Sequence, residues 1–356
     1  MNKRILVLPG DGIGPEVMTV ATAVLQAIAV RFGHNFIVTQ GLIGAAALAV
    51  TGEPLPKQTI AQCQQIEAVL LGAVGDPHYE HNAVSLRPEQ GLLGLRQHLG
   101  VYANIRPVQV WPQLQAASSL KTAVIEGVNF IFFRELLAGL YFGKPRGRSS
   151  DGETAVDTMR YSKAEVRRIV RLAFQAAQQR SKKLCSVDKA NVLECSRLWR
   201  EVVIEQAKQW PDVAVTHMYV DNAAMQIIRQ PKQFDVIVTE NMFGDILSDE
   251  AAQVAGSLGL LASASLGDRI ALYEPVHGSA PDIAGHNRAN PIGAIVSVAL
   301  MLEYSFGLKA ETAAIHTALS QTLTAGWRTA DLATALTPPD HVLDTSVFGQ
   351  KLIQYI

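Results

Sequence analysis

The stretch Arg4-Ile-Leu-Val-Leu-Pro-Gly-Asp-Gly-Ile-Gly14 stands near the start of the chain and predicts its fold class. The apolar run before Pro9 is typical of a buried strand, and the alternating glycines after it predict a tight turn with positive φ angles. Pro15 suits a first helical turn, and residues 16–30 have helical spacing. Strand, glycine turn and helix in this order open an α/β fold.

The glycine turn does not make this a classical Rossmann fold. Gly10, Gly12 and Gly14 do not match the GxGxxG spacing, and no acidic residue follows a second strand at the expected distance. Helical stretches at 163–180 and 197–210 alternate with further apolar runs, which favours a mostly parallel sheet. The predicted strands are Ala68 to Leu71, Thr122 to Glu126, Phe130 to Phe133, Leu184 to Val187, Ala214 to Tyr219 and Val236 to Thr239.

Length and composition narrow the class of protein. A chain of 356 residues is long for one core, so we expect two domains. With 48% hydrophobic and 18% charged residues the protein is predicted to be globular. A formal net charge of -1 gives no electrostatic reason to expect nucleic acid or a membrane surface as partner.

The cysteines and the chain ends predict a soluble, cytoplasmic protein. Cys63, Cys185 and Cys195 are odd in number and lack CxxC spacing, which disfavours a disulfide framework or a structural zinc site. The apolar run at residues 5–8 is too short for a secretory signal, and the one at residues 297–302 is too short to span a bilayer.

Asp245 and Asp249 form the most informative pair of carboxylates. They lie four residues apart in Phe243-Gly-Asp-Ile-Leu-Ser-Asp249, which follows a strand-like run and has helical spacing. One helix face therefore carries both carboxylates, whose oxygens suit a hard cation such as Mg²⁺ or Mn²⁺. Acidic pairs at this spacing are also common on solvated surfaces, so the metal hypothesis depends on other segments.

Three arginines are candidates for binding a substrate with two carboxylates. Arg96, Arg106 and Arg134 occur in Gly-Leu-Leu-Gly-Leu-Arg, Ala-Asn-Ile-Arg-Pro and Ile-Phe-Phe-Arg-Glu. Arg134 follows an apolar strand, where a guanidinium is costly unless it meets an anion, and planar arginine suits carboxylates. A structural salt bridge, for example between Arg134 and Glu135, is the alternative for each.

Tyr141 and Lys189 are candidate proton carriers. Lys189 follows a buried strand in Ser186-Val-Asp-Lys-Ala-Asn191, where a neighbouring charge or burial can shift an amine pKa. A lysine in this position is also commonly solvent-exposed. Asp221 follows another strand and is a candidate third metal ligand beside Asp245 and Asp249.

The segment Glu274-Pro-Val-His-Gly-Ser-Ala-Pro-Asp282 and its continuation to Asn290 form a turn-rich loop that can wrap an adenosine. Asp282 is predicted to accept hydrogen bonds from ribose hydroxyls and to repel a 2′-phosphate. This favours NAD⁺ over NADP⁺.

Taken together, these segments resemble the isocitrate/isopropylmalate dehydrogenase family of β-decarboxylating dehydrogenases, and within it the isopropylmalate-specific members. The resemblance runs in family order along nearly the whole chain. The matching segments are Gly10 to Glu16, Arg87 to Leu93, Asn104 to Pro107, Tyr141 to Gly143, Ser186 to Glu194, Asn241 to Asp249 and Glu274 to Asn290.

The resemblance implies an architecture. One α/β domain is expected from residues 1–101 plus 256–356, with the cofactor loops, and a second from residues 102–255. The second domain is expected to carry the metal site, the dimer interface and a protruding arm at about 141–157. Such proteins are homodimers with shared active sites, so Lys189 and Asp221 are expected to come from the second copy.

The resemblance also implies a reaction: NAD-dependent oxidative decarboxylation of 3-isopropylmalate to 4-methyl-2-oxopentanoate and CO₂ in leucine biosynthesis. Arg96, Arg106 and Arg134 are expected to bind the malate carboxylates. Lys189 would accept the hydroxyl proton and Tyr141 would protonate the enolate. Asp221, Asp245 and Asp249 would hold Mg²⁺ or Mn²⁺, with Asp221 also against the substrate.

The remaining expected contacts divide between the substrate side chain and the cofactor. Leu92, Leu93 and Val192 match an apolar pocket, where burying an isopropyl group is worth about 2–3 kcal/mol. Glu89 is a further expected substrate contact. The expected NAD contacts are Ile13, Gly75, Asp76, Glu274, His277, Gly278, Ser279, Ala280, Asp282 and Asn290.

Several positions depart from the family's usual sequence. Leu137-Ala-Gly139 stands where Thr-Gly is usual, Glu240 and Asp76 replace smaller residues, and Ala262 stands where proline is common. The same chemistry on another 3-substituted malate or on tartrate therefore remains the alternative, because Leu137 is able to reshape the pocket. A non-catalytic homologue is disfavoured, since every expected catalytic and metal-binding residue is present.

Overall fold

The computed structural model describes residues 1–356 and has a mixed α/β architecture. Its strands, in chain order, are β1 (Asn2–Gly10), β2 (Asn35–Gln40), β3 (Ala68–Ala73), β4 (Ala103–Gln109), β5 (Asn129–Glu135), β6 (Gly147–Arg148), β7 (Ala155–Val156), β8 (Lys183–Asp188), β9 (Ala214–Tyr219), β10 (Val236–Thr239), β11 (Ala262–Leu266) and β12 (Ala271–Pro275). Its helices are α1 (Gly14–Phe32), α2 (Gly44–Thr51), α3 (Lys57–Cys63), α4 (Pro88–Leu99), α5 (Thr122–Ile125), α6 (Lys163–Gln179), α7 (Glu194–Ala207), α8 (Val220–Arg229), α9 (Asn241–Ala255), α10 (Ile292–Tyr304), α11 (Lys309–Thr324) and α12 (Thr345–Ile353).

The chain divides into two compact units. The first contains Met1–Val101, Trp111–Ser119 and Ala255–Ile356, and the second contains Tyr102–Val110 and Leu120–Val254. Strands of the first unit follow the order β2-β1-β3-β12-β11. All their pairings are parallel except β11 with β12.

Strands of the second unit follow the order β4-β5-β10-β8-β9. Only the pairing of β4 with β5 is antiparallel. An apolar core forms where these strands meet α8 and α9, with Phe130, Phe132, Ile237 and Leu247 almost fully buried. The sheet is thus mostly parallel, as the sequence pattern predicts.

Most predicted elements are confirmed, but the predicted strand at Thr122 to Glu126 is wrong. These residues form the short helix α5, in which the Glu126 N–H donates to the Thr122 carbonyl at 2.8 Å. Its single turn buries Ile125 in the core, and Gly127, which has φ +74°, follows two residues after the helix ends. A short apolar run satisfies helix and strand patterns alike, and here one turn is enough to bury the apolar side chain.

The segment at residues 141–157 contains an exposed hairpin, in which β6 pairs with β7 in antiparallel register. The expected role of this segment as a protruding arm stays a prediction.

Helix α1 is long and apolar enough to cross a membrane by length and composition alone. Core helices of soluble proteins pass the same test, and α1 buries Val17, Ala21, Val24 and Ile28 completely.

Candidate active site

Asp245 and Asp249 lie on one face of α9, which begins two residues after β10. Beneath the first turn of α9 lies Arg134 from the end of β5. Gly244 has no side chain because Arg134 occupies that space: a Cβ at this glycine would lie 2.7 Å from the Arg134 Cγ. The glycine before Asp245 therefore allows the buried arginine to approach the helix.

Arg134 is 2% exposed and has partners along its whole guanidinium. Nε and Nη2 donate to the Asn241 side-chain oxygen at 3.1 and 2.8 Å, and Nη1 donates to Asp245. The guanidinium carbon lies 5.8 Å from the centre of the Tyr141 ring. One arginine thus fixes a helix start, a carboxylate and an aromatic ring.

Arg106, on β4, approaches the same two aspartates. Nη1 donates to Asp249 at 3.1 Å and to the Ser248 hydroxyl at 2.7 Å, while Nη2 lies 3.4 Å from Asp245. Nε donates to the Asn104 side chain at 2.7 Å. Two buried guanidiniums and two carboxylates therefore form one cluster, in which each charge offsets the desolvation of the others.

The Tyr141 hydroxyl joins this cluster by donating to Asp245 Oδ2 at 2.9 Å. Burial and the neighbouring Asp245 charge raise the pKa of Tyr141 to about 12. The phenol consequently keeps its proton at neutral pH and can act only as a donor in its resting state.

The segment that leads to Tyr141 is anchored by Glu135, which is fully buried. Its carboxylate accepts the Leu137 and Ala138 N–H groups at 3.2 and 2.8 Å and pairs with Arg168 at 3.1 Å. Burial raises the pKa of Glu135. The alternative of an Arg134–Glu135 salt bridge is not what forms, because Glu135 binds Arg168 and Arg134 binds Asp245.

Lys189 pairs with Asp221 through its ammonium group, and both follow strand ends of the second unit. The turn that carries Lys189 is held by Asp188, which is buried, accepts the Ala190 N–H at 2.9 Å and binds Arg200 through two bonds of 2.8 Å. The ion pair lowers the pKa of Asp221. Within one chain, no group of three His, Cys, Asp or Glu side chains is arranged to hold a metal. Asp221 therefore does not join Asp245 and Asp249 in a single copy.

The expected substrate residues on α4 belong to the first unit. Arg96 is 8% exposed and donates from Nη2 to Glu274 at 2.8 Å, while its buried Nε has no partner. Leu92 and Leu93 are half-buried, whereas Glu89 is exposed. Val192, in the second unit, is 62% exposed.

The glycine turn after β1 packs against the loop that follows β12. Gly12 has φ +55°, and a Cβ there would lie 2.0 Å from the Ser279 carbonyl oxygen. The Ile13 N–H donates to that same oxygen at 2.8 Å. Positive φ and close backbone contact both require glycine, which confirms the predicted tight turn.

Asp11, inside this turn, is a structural anchor that sequence reasoning missed. It is 4% exposed and accepts the N–H groups of Ala45, Ala46 and Gly75 at 2.9, 2.9 and 2.8 Å. One carboxylate thereby holds the start of α2 and the expected cofactor residue Gly75. Its place between two glycines was the only signal in the sequence.

The loop from Glu274 to Asn290 is fixed at its far end. Asn290 donates to Asp331 at 3.0 Å and accepts the Ile292 N–H at 3.0 Å, which caps α10. Asp282 and Gly278 are exposed, while Ser279 is buried and Ala280 half-buried. His277 has a buried Nε2 without a partner, and burial lowers its pKa.

Asp76 forms a local turn. Its carboxylate accepts the His78 N–H at 3.0 Å and lies 2.8 Å from His78 Nδ1. The His78 N–H lowers the Asp76 pKa, so the side chain is a carboxylate at neutral pH.

The sequence matches a known family over almost its full length. The model of the isocitrate/isopropylmalate dehydrogenase family matches residues 4–352. A 3-isopropylmalate dehydrogenase of Priestia megaterium is 60% identical over 359 residues, covering 100% of this chain and 96% of the relative. A second, from Geobacillus kaustophilus, is also 60% identical and covers 93% and 90% of the two chains.

Solved structures agree at lower identity. The isocitrate dehydrogenase of Methylococcus capsulatus superposes with a TM-score of 0.87 at 33% identity, covering 99% of both chains. A β-decarboxylating dehydrogenase of Thermococcus kodakarensis gives 0.79 at 34% identity, covering 99% of this chain and 96% of that one. Enzymes of this family are generally dependent on NAD and a divalent metal. By sequence, fold and site composition, the chain belongs to the isocitrate/isopropylmalate dehydrogenase family of oxidoreductases.

Proposed function

We propose that this protein is the enzyme that converts 3-isopropylmalate to 4-methyl-2-oxopentanoate and CO₂ with NAD⁺ as oxidant, a step of leucine biosynthesis. The observation that supports it most is the cluster of Arg106, Arg134 and Tyr141 around Asp245. The curated relatives at 60% identity carry the name of this activity, whereas the isocitrate-named structure is 33% identical.

The three arginines bind the substrate carboxylates in this proposal. Arg106 and Arg134 are buried and held by Asn104 and Asn241, so their planar groups are oriented before an anion arrives. The Nε of Arg96 is buried and has no partner, and a buried guanidinium N–H requires an acceptor. This supports the assignment of Arg96 to a substrate carboxylate.

Asp245 and Asp249 supply two of the three proposed metal ligands, and their oxygens suit Mg²⁺ or Mn²⁺. A single copy gathers no third ligand, so we assign it to Asp221 of a second copy. When bound, such a cation acts as a Lewis acid towards the substrate hydroxyl and the carbonyl that replaces it.

Two side chains move protons in the proposed reaction. Lys189, once its ammonium has released a proton, accepts the proton of the 2-hydroxyl group as hydride leaves C2, and its contact with Asp221 keeps the amine oriented. Tyr141 donates its proton to C3 after CO₂ departs. The phenol is protonated at neutral pH, as this role requires, and its bond to Asp245 holds the hydroxyl within the cluster.

The cofactor contacts are assigned to the loop from Glu274 to Asn290 together with Ile13, Gly75 and Asp76. The exposed Gly278 leaves room for close approach of a dinucleotide, since nothing lies within 4 Å of where a Cβ on Gly278 would be. The exposed Asp282 favours NAD⁺ by repelling a 2′-phosphate.

The proposed isopropyl pocket combines Leu92 and Leu93 with Val192. Val192 is 62% exposed, as are other apolar side chains of the second unit, including Met225 at 61% and Ile246 at 59%. Exposed apolar side chains of this kind suit a subunit interface, and we take them as support for a homodimer with shared sites. Three free cysteines support a reducing, cytoplasmic location.

The test is NADH formation with 3-isopropylmalate, D-malate, isocitrate and tartrate in parallel, first with Mg²⁺ and then with chelator. We expect metal-dependent turnover that is highest on 3-isopropylmalate. Turnover only on another of these acids would contradict the proposed substrate but would leave the proposed oxidative decarboxylation standing. Absence of turnover on all four would contradict the proposal.

A further inference from the structure

Tyr161 is a second tyrosine of the second unit for which the proposed reaction has no role. It precedes α6, and it is 7% exposed with its ring edge-on to Trp199 at 5.7 Å. Its hydroxyl donates to Glu240 Oε2 at 3.3 Å and accepts the Asn241 N–H at 3.0 Å. A buried phenol with two partners at a helix start is well placed to fix that helix.

Glu240 completes the start of α9. It is 3% exposed, and its carboxylate accepts the Phe243 N–H at 2.7 Å and the Met242 N–H at 3.1 Å. These are N–H groups that have no partner inside the helix. Glu240 therefore caps the helix that carries Asp245.

Tyr161 also contacts the segment that carries Tyr141. Gly139 has φ +77°, and a Cβ there would lie 2.4 Å from the Tyr161 hydroxyl oxygen. The Gly139 N–H donates to the Arg160 carbonyl at 3.1 Å, and the Asn241 side chain donates to the Ala138 carbonyl at 3.1 Å. The segment is thus docked on Tyr161 and Asn241 two residues before Tyr141.

These contacts form a closed cycle of four residues, Tyr161, Glu240, Asp245 and Tyr141. Tyr161 and Glu240 set the first turn of α9, α9 presents Asp245, Asp245 accepts the Tyr141 hydroxyl, and the Tyr141 segment rests on Tyr161. We propose that Tyr161 and Glu240 are positioning residues that hold the Tyr141 hydroxyl for proton transfer to the enolate. The inference rests on the proposed function, because it presumes that Tyr141 is the proton donor.

The test uses the full-length protein carrying Tyr161→Phe, which removes one hydroxyl and keeps the ring against Trp199. Tyr273→Phe is the matched control, since Tyr273 is a fully buried tyrosine of the first unit whose hydroxyl contacts Ser305 at 2.6 Å. We expect Tyr161→Phe to lower steady-state kcat about tenfold with an unchanged KM for NAD⁺, and the control to leave kcat unchanged.

Rapid mixing separates positioning from general destabilisation. Hydride transfer precedes protonation, so Tyr161→Phe should give a first-turnover NADH burst at the wild-type rate, followed by the slowed steady state. A burst slowed in proportion to kcat would overturn the proposal. If wild-type enzyme forms no NADH with 3-isopropylmalate, the proposed function fails instead, and the two failures are distinguishable.

A double-mutant cycle gives the second readout. If Tyr161 acts through Tyr141, then Tyr161→Phe should cost less than about twofold in kcat when added to Tyr141→Phe. Equal losses in both backgrounds would overturn the proposal. Glu240→Gln keeps an acceptor for the Tyr161 hydroxyl, so we expect it to lose less kcat than Glu240→Ala. Equal losses of kcat would show that Glu240 is not a positioning residue.

Discussion

Arg134 combines almost complete burial with bonds to both a carboxylate and an amide. A lysine at this position has a single ammonium and cannot bind Asn241 and Asp245 in the same planar arrangement. We predict that Arg134→Lys raises the KM for 3-isopropylmalate by at least about tenfold, measured by steady-state NADH formation. Arg180→Lys is the control, because Arg180 pairs with Asp235 in the same unit. An unchanged KM in Arg134→Lys would contradict its assignment to the substrate.

Asp282 is an exposed carboxylate on the expected cofactor loop. Removing its charge should relieve repulsion of a 2′-phosphate and remove an acceptor for ribose hydroxyls. We predict that Asp282→Asn shifts the ratio of kcat/KM for NADP⁺ over NAD⁺ upward by about tenfold. Asp340→Asn, another exposed aspartate of the first unit, should leave the ratio unchanged. An unchanged ratio of kcat/KM for NADP⁺ over NAD⁺ in Asp282→Asn would show that Asp282 does not contact the ribose.

Cysteine reactivity provides a prediction that is independent of catalysis. Cys63 and Cys185 are buried, and burial raises the pKa of each thiol to about 11. Cys195 is only half-buried. Because the thiolate is the reactive form, we expect one fast-reacting thiol in the native protein at pH 8 and three after denaturation, measured with a coloured disulfide reagent. Loss of the fast phase in Cys195→Ser would identify it.

At the scale of the element, the glycine turn after β1 is a junction between a strand, a helix and the cofactor loop. Gly12→Ala would place a methyl group on the Ser279 carbonyl and force a positive φ on alanine. Gly52→Ala shares the positive φ, at +75°, but has nothing within 4 Å. We predict that Gly52→Ala loses about 1 kcal/mol of stability from the φ penalty and that Gly12→Ala loses more because of the added clash. Only Gly12→Ala should also weaken NAD⁺ binding measured by calorimetry. Equal affinities of Gly12→Ala and Gly52→Ala for NAD⁺ would show that the turn is not part of the cofactor site.

Helices and strands with a clear apolar period could be predicted from the sequence, whereas the hydrogen-bond partners of individual side chains could not. Strand β10 and helix α6 follow from apolar spacing, and α5 was misread because four residues are too few to show a period. The aspartate pair on α9 was predicted from its spacing of four. The bond between Arg96 and Glu274 joins residues 178 positions apart, and no local pattern announces it. The sequence marks Glu240 only as a replacement for a smaller residue, and its capping of α9 appears only in the structure.

At the scale of the whole molecule, the proposed shared site has a direct test by subunit complementation. Tyr141→Phe and Lys189→Met should each keep only a small residual kcat as homodimers. If each site takes Tyr141 from one copy and Lys189 from the other, a mixed dimer contains one intact site. Random exchange of equal amounts should then restore about one quarter of wild-type activity, because half of the dimers are mixed and each has one working site. Activity that stays at this residual level after exchange would place both residues in the same copy's site.

The distribution of the first unit over both chain ends has a consequence for how the protein is made. Strand β3 pairs with β12, and some 200 residues separate them along the chain. At a synthesis rate of about 5–20 residues per second, one edge of β3 waits roughly 10–40 s for its neighbour to leave the ribosome. The second unit, almost entirely one continuous segment, is complete before that happens. An open strand edge invites pairing with other chains. The nascent chain is therefore open to mispairing during this interval, whereas in the finished protein β12 covers that edge.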